Sequence, residues 1–277
     1  REKEYEIVPA NVKKKVMVVG GGVAGMEAAR VCSLRGHNVA LYEKTNKLGG
    51  HLNEGSKPDF KEDDKRLLEW YEHELKESNI KVNMNTEVDM NRIDSEIPDT
   101  VIIATGSNPA KINFPGADKS SVAYAVDILE GVKKPGNDVV IIGGGLVGCE
   151  TALYLAKQGK KVTIVEALEG LMSGGKPIPH MNKTMLIDLL KFNNVDVVLN
   201  SYLVKVTDEA AIISEGPSKR RSIKADTVVL SVGYKPDNAL FKSLNGKFKE
   251  LYLIGDSRKT ADIMNAIWDA YDVARTI

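Results

Sequence analysis

The sequence predicts an α/β protein of two domains, each a parallel sheet with helices on it and a small antiparallel layer, the second domain inserted in the first. Three observations carry that reading. The stretch VVGGGVAG at 18–25 follows an apolar run of strand length and opens a helical pattern. A second version, IIGGGLVG at 141–148, stands in matching surroundings. Further along, VIIATGSNP at 101–109 is echoed by VVLSVGYKP at 228–236. Strand and helix patterns that alternate around such loops point to parallel βαβ units.

The totals agree with two domains. A chain of 277 residues accommodates roughly two units of about 100–200 residues. Hydrophobic residues make up 43% and charged residues 27%, an ordinary globular composition. The 38 lysines and arginines match the 38 aspartates and glutamates. No net field therefore favours nucleic acid or an anionic membrane, and neither is expected as a partner. No apolar run reaches the roughly 18 residues of a membrane span, and residues 1–15 lack the apolar centre of a signal peptide. A cytoplasmic protein is expected. The polar extension REKEYEIVPA, opening on Arg1 rather than Met, reads as the start of a piece cut from something longer.

Taken in order, KVMVV at 15–19 is a strand, and Ala24, Ala28, Ala29, Val31, Cys32 and Leu34 supply a helical face that stops near Gly36. NVALYE at 38–43 is a second strand closing on Glu43. A shift of 123 positions carries Gly20, Gly22, Gly25, Gly36 and Glu43 onto Gly143, Gly145, Gly148, Gly159 and Glu166. The flanking strands correspond too, so the unit is duplicated. Residues 60–78 form an amphipathic helix with Leu67, Leu68, Tyr71 and Leu75 on one face, followed by a strand at 80–88. Their counterparts are a helix at 181–192 and a strand at 195–200. Short alternating runs across 203–230 predict the antiparallel layer. Pro109 and Pro236 are expected to stop regular structure. The boundaries that follow are 1–110 plus 237–277 for the first domain and 111–236 for the inserted one.

Each glycine has a chemical reason. In a dinucleotide site the first permits a tight turn, the second lets backbone approach a pyrophosphate, and the third packs the helix on the sheet. The helix start, with Val23 and Ala24 in the first copy and Leu146 and Val147 in the second, offers free N–H groups and a partial positive charge to phosphate. Glu43 and Glu166 can accept hydrogen bonds from a ribose diol. A carboxylate at 166, with no arginine in VEALEG, favours NADH over NADPH. Both domains are therefore read as Rossmann-like dinucleotide-binding domains. Cys32 and Cys149 belong to no CxxC pair, so they are read as packing residues, and no metal site is expected.

With ATG at 104–106 and LYLIGD at 251–256 added to the two glycine loops, the chain resembles the two-dinucleotide-binding flavoproteins, the FAD- and NAD(P)-dependent pyridine nucleotide-disulfide oxidoreductase-like superfamily. The resemblance implies that FAD lies against Gly20, Gly22, Ala24, Gly25, Glu43, Lys44, Gly49, Gly50, Ala104, Thr105, Gly106, Gly255 and Asp256. Val88 would pack on the adenine, and the helix from Ile263 would aim Met264 and Asn265 at the flavin. NADH would take Gly143, Gly145, Leu146, Val147, Gly148 and Glu166, with Gly233 at the matching strand end. His51 follows the paired glycines where such proteins approach the flavin, either as a supporting histidine or as a proton donor. No catalytic residue is assigned, because hydride transfer is carried by the cofactors.

The opening extension, KLGGHLN at 47–53 and the terminal IGDSRKTADIMNAIWDAYDVARTI resemble more narrowly the C-terminal portion of the NADH:flavin oxidoreductase, 2,4-dienoyl-CoA reductase and 2-enoate reductase group. That resemblance implies an electron-input module whose partner is a barrel domain with FMN and an iron-sulfur cluster, or another electron acceptor. Two alternatives stay open at this point: a thioredoxin reductase-like disulfide reductase, and a nucleotide-binding regulatory module without turnover.

Overall fold

The computed structural model describes residues 2–175, 177–216 and 218–277. From the N-terminus run β1 (Lys15–Val19), α1 (Val23–Leu34), β2 (Asn38–Tyr42), α2 (Leu52–Gly55), α3 (Glu62–Glu77), β3 (Lys81–Asn83), α4 (Met90–Glu96), β4 (Thr100–Ile103) and β5 (Ser107–Pro109). There follow β6 (Val122–Tyr124), α5 (Ala125–Leu129), β7 (Asp138–Ile142), α6 (Leu146–Lys157), β8 (Lys161–Val165), α7 (His180–Phe192) and β9 (Asp196–Val198). The chain closes with β10 (Tyr202–Val206), β11 (Ala210–Ser214), β12 (Arg220–Lys224), β13 (Thr227–Leu230), β14 (Tyr234–Pro236), α8 (Ala239–Leu244), β15 (Leu251–Leu253) and α9 (Ile263–Ala274).

Two compact units emerge. The first comprises the chain up to Ser56, Lys61–Asn108 and Tyr234–Ile277; the second comprises Lys57–Phe60 and Pro109–Gly233. The first holds a five-stranded sheet in the order β15-β4-β1-β2-β3, all parallel. The second holds a parallel sheet in the order β6-β13-β7-β8-β9 and an antiparallel sheet β10-β11-β12. The central strands read as unbroken apolar runs because both sheet faces are covered. On one face of the first sheet, Val16, Val18 and Ile102 pack on Met26, Ala29 and Tyr71; on the other, Met17, Val19 and Ile103 pack on Ile93 and Leu244. In α1, Ala28 and Ala29 are fully buried, and their small side chains let the helix lie close to the strands.

Two sequence expectations are corrected in detail. The strand expected at 80–88 ends at Asn83 and the one at 195–200 at Val198. Asn85 and Asn200 turn each chain with φ of 51°, a left-handed conformation that asparagine tolerates. Their amides donate to the carbonyls of Thr45 and Leu168, while Thr86 and Ser201 donate to those of Glu43 and Glu166. As expected, Pro109 and Pro236 are where regular structure stops: each is the last residue of its strand, β5 and β14, which pair with each other as a two-stranded ribbon. Within 203–230 only β10–β12 are antiparallel, since β13 joins the parallel sheet.

Candidate functional site

The first cradle is assembled at the C-terminal end of its sheet. Gly20 leaves β1 with φ of +107°, and a Cβ there would run into the Ala104 carbonyl oxygen. A Cβ on Gly25 would strike the Gly20 carbonyl oxygen. Both positions are thus closed to any side chain by the protein itself. Gly22 differs, because a Cβ would meet only the Gly50 Cα at 3.9 Å. It caps α1 with extended backbone, and no side chain hydrogen-bonds to the helix start. An uncapped helix terminus carries about half a positive charge, and with an unobstructed glycine ahead of it, it suits an anionic pyrophosphate.

Other motifs converge on the same place. Gly22 bridges Gly49, and the Gly49 amide donates to the Gly21 carbonyl at 2.8 Å. A Cβ on Gly255 would lie 2.7 Å from that of Ala24. Gly255 donates its amide to Asp269, and Asp256 accepts from the Ser107 hydroxyl at 3.1 Å and from the Ala261 amide at 2.9 Å. Thr105 donates its hydroxyl to the Asp237 carbonyl at 2.6 Å, and Gly106 has open space around its α-carbon. The structure therefore brings together the 20–25 loop, 49–50, 104–107 and 255–256, which lie far apart in sequence.

The second cradle repeats the first. Gly143, with φ of +106°, abuts the Ser231 carbonyl oxygen, and a Cβ on Gly148 would strike the Gly143 carbonyl oxygen. A Cβ on Gly145 would meet no atom within 4 Å. Gly145 caps α6 with no side-chain partner. The loop after the glutamate also repeats: the Met172 amide donates to the Gly144 carbonyl at 2.8 Å, as Gly49 does to Gly21. Leu171 covers Gly144 as Leu48 covers Gly21. Leu146 and Val147 are exposed at the helix start, where a ligand would cover them.

The two glutamates are buried, Glu43 at 8% and Glu166 at 9% exposure. Glu43 accepts from the Gly21 and Thr45 amides at 2.8 Å each. Glu166 accepts in the same way from Gly144 and Leu168. Each carboxylate thus braces its glycine loop, and an ionised carboxylate keeps acceptor capacity beyond two hydrogen bonds.

The remaining assignments separate into supporting and exposed positions. Val88 is buried in the core beside Val19, Tyr42 and Ile93. Lys44 is exposed, and Gly233 has open space around its α-carbon. Met264 is exposed on the first turn of α9, whereas Asn265 is drawn into the cap by Asp262, which accepts from both its amide and its side chain. His51 is bonded at both ring nitrogens, to Glu54 and to the Ser107 carbonyl, and meets the Tyr234 ring edge-on at 4.8 Å. Sequence reasoning did not single out Glu54, Ser107 or Tyr234; Ser107 and Tyr234 do lie in the echoed VIIATGSNP and VVLSVGYKP stretches, the one signal that could have found them.

Cys32 and Cys149 are fully buried in separate clusters. Burial, the largest influence on each, pushes both thiols up to about 12. Among the described residues no group of three or more His, Cys, Asp or Glu could hold a metal ion, and no helix is long and apolar enough to cross a membrane.

Residues 14–277 match the pyridine nucleotide-disulphide oxidoreductase family, and the chain belongs to it. It is 47% identical over its whole length to the cinnamate reductase of Clostridium sporogenes, of which it covers 41%. It is 41% identical to the NADH oxidase of Thermoanaerobacter brockii, covering 99% of this chain and 42% of that one. A solved 2-naphthoyl-CoA reductase in complex with 2-naphthoyl-CoA matches 99% of the chain and 41% of its own, at a TM-score of 0.93 and 35% identity. The chain thus spans about two fifths of the length of these relatives.

Proposed function

We propose that this member of the pyridine nucleotide-disulphide oxidoreductase family is an electron-input module that takes hydride from NADH onto FAD and passes the electrons to a further acceptor. FAD is assigned to the first unit and NADH to the second, with domain limits of 1–110 plus 237–277 and 111–236. One observation carries this reading above the others: two glycine cradles built alike, each closed to side chains at its first and third glycine and open at its second.

The residues act by binding and orientation. Gly22 and Gly145 let a pyrophosphate approach helix starts whose N–H groups face it. Glu43 and Glu166 hold their loops in shape and offer remaining acceptor capacity to a ribose. At Glu166 a 2′-phosphate would face a buried carboxylate, so NADH should be used with a higher kcat/KM than NADPH. Bound flavin supplies the hydride-accepting ring, and the chain sets distance and orientation. The proposed acceptor is an FMN and iron-sulfur barrel in the part of the protein beyond this chain, a reading supported by relatives more than twice as long that are named as reductases and an oxidase. A disulfide substrate is disfavoured by the two buried, high-pKa thiols in separate clusters.

Adding NADH without oxygen to the FAD-loaded protein tests the reading. Bleaching of the flavin's visible band is expected. Tight NADH binding with an unchanged spectrum would make the chain a nucleotide-binding module without turnover.

A further inference from the structure

His51 stands at the junction of four segments. Its Nε2 lies 2.8 Å from the Ser107 carbonyl oxygen, and its Nδ1 meets the Glu54 carboxylate. A carbonyl oxygen has no proton to give, so Nε2 donates. In a neutral ring Nδ1 would then turn a lone pair toward the lone pairs of a carboxylate. A proton between them removes that repulsion and makes a charge-assisted bond. Glu54, on α2, is only 5% exposed, so an unpartnered carboxylate there would be costly. Ser107 passes the connection to Asp256 through its hydroxyl, and the Tyr234 ring stands 4.8 Å from the imidazole at 64°.

These contacts name the charged and titratable groups around the ring: Glu54 from α2, Asp256 from the turn after β15 and Tyr234 from β14. Burial by itself draws the His51 pKa down; the Glu54 hydrogen bond and charge, the Ser107 carbonyl and the Asp256 charge outweigh it, and the net direction is upward from 6.5. Gly50, the residue before His51, would place a Cβ 3.1 Å from the Gly22 Cα. The histidine therefore adjoins the segment that lies against the open glycine of the cradle.

We propose that His51 is a positioning residue of the flavin cradle: its protonated ring, clasped between Glu54 and Ser107, holds the 49–51 loop against Gly22 and ties it to the Ser107–Asp256 pair. This rests on the assignment of FAD to the first unit. A clasped loop favours both the proton and the cofactor, so by reciprocity each tightens the other. Because the clasp raises the histidine's affinity for its proton, its contribution is complete at low pH and fades as pH rises through the raised value.

The test measures FAD affinity of the chain by equilibrium dialysis from about pH 6 to about pH 9, together with NMR titration of the His51 ring before and after FAD is added. Wild type should weaken about tenfold across that span, and FAD should raise the His51 pKa by up to about one unit, the two being linked. His51→Gln, which can still donate to the Ser107 carbonyl but carries no charge, should bind more weakly with a flat profile, and His51→Ala should be weaker still. Thermal unfolding of the FAD-free variants shows whether they fold, and the wild-type arms need no variant. A wild-type affinity independent of pH, an unchanged His51 titration on adding FAD, or a wild-type profile in His51→Ala overturns the proposal. Wild type that binds no FAD at any pH removes the cofactor assignment itself, a different failure.

Discussion

The Glu43 carboxylate holds the Gly21 amide at 2.8 Å, so the residue that follows β2 sets the shape of the loop that leaves β1. Its other oxygen holds Thr45, and the carboxylate is nearly excluded from water. Glu43→Gln would turn an NH2 group toward one of two N–H donors. A buried donor left unsatisfied costs about 1–3 kcal/mol. We expect that loss in thermal or urea unfolding of nucleotide-free protein, with Glu166→Gln behaving alike in the second unit. Unchanged stability in both variants would mean that the carboxylates act on ligand alone.

Gly148 and Gly145 are three residues apart and should respond oppositely to alanine. At Gly148 the added carbon would collide with the Gly143 carbonyl oxygen, whereas at Gly145 it would enter open space. Gly148→Ala should destabilise the protein by about 2 kcal/mol or more, since α6 must move off the strand. Gly145→Ala should cost less than about 1 kcal/mol, as an N-cap change without a clash. Equal midpoints in denaturant for the two variants would contradict the division of labour among these glycines.

The cysteines should be dispensable for turnover. With both thiols buried and pushed up to about 12, neither supplies a thiolate near neutral pH. The double variant Cys32→Ala, Cys149→Ala should lose about 1–2 kcal/mol of stability from lost packing and keep its rate of NADH-driven dye reduction. Loss of that rate with FAD still bound would restore a disulfide mechanism.

At the opposite end of the first sheet, Glu250 accepts from the Lys14 ammonium at 2.8 Å and the Thr100 hydroxyl at 2.5 Å, joining the starts of β15, β1 and β4. Lys14 first, then Thr100, holds this carboxyl below its ordinary 4.5. A depressed folded-state value means that the stabilisation is full above about pH 4.5 and is lost as pH falls through the depressed value. Glu250→Gln should therefore be about 1 kcal/mol less stable at pH 7, discounted for partial exposure, with the gap closing in acid. A gap that stays constant down to about pH 3 would remove the electrostatic explanation.

How much of this could be read from the sequence follows from range. The glycine loops, the glutamates and the shift of 123 positions are local patterns, and each fell where its spacing required. The closeness of Gly22 to Gly50 and of Ala24 to Gly255 is set by how strands order in the sheet, which no local period encodes. Met90–Glu96, Ala125–Leu129 and Ala239–Leu244 are helices of at most seven residues, too short to show a 3.6-residue repeat. Asn265 was legible as a residue at a helix start, but its bonds to Asp262 turn it into part of the cap. The His51 contacts reach Ser107 and Tyr234, far along the chain in the two echoed VIIATGSNP and VVLSVGYKP stretches, and no local spacing shows that these residues meet the histidine.

The most direct measurement of the twin-cradle account is a pair of binding isotherms, FAD and NADH, on the wild type, Gly22→Ala and Gly145→Ala. The account predicts that Gly22→Ala loses at least about tenfold in FAD affinity, or roughly 1.4 kcal/mol, and keeps NADH, while Gly145→Ala does the reverse. Loss of both ligands in either variant, or of neither in both, would contradict it.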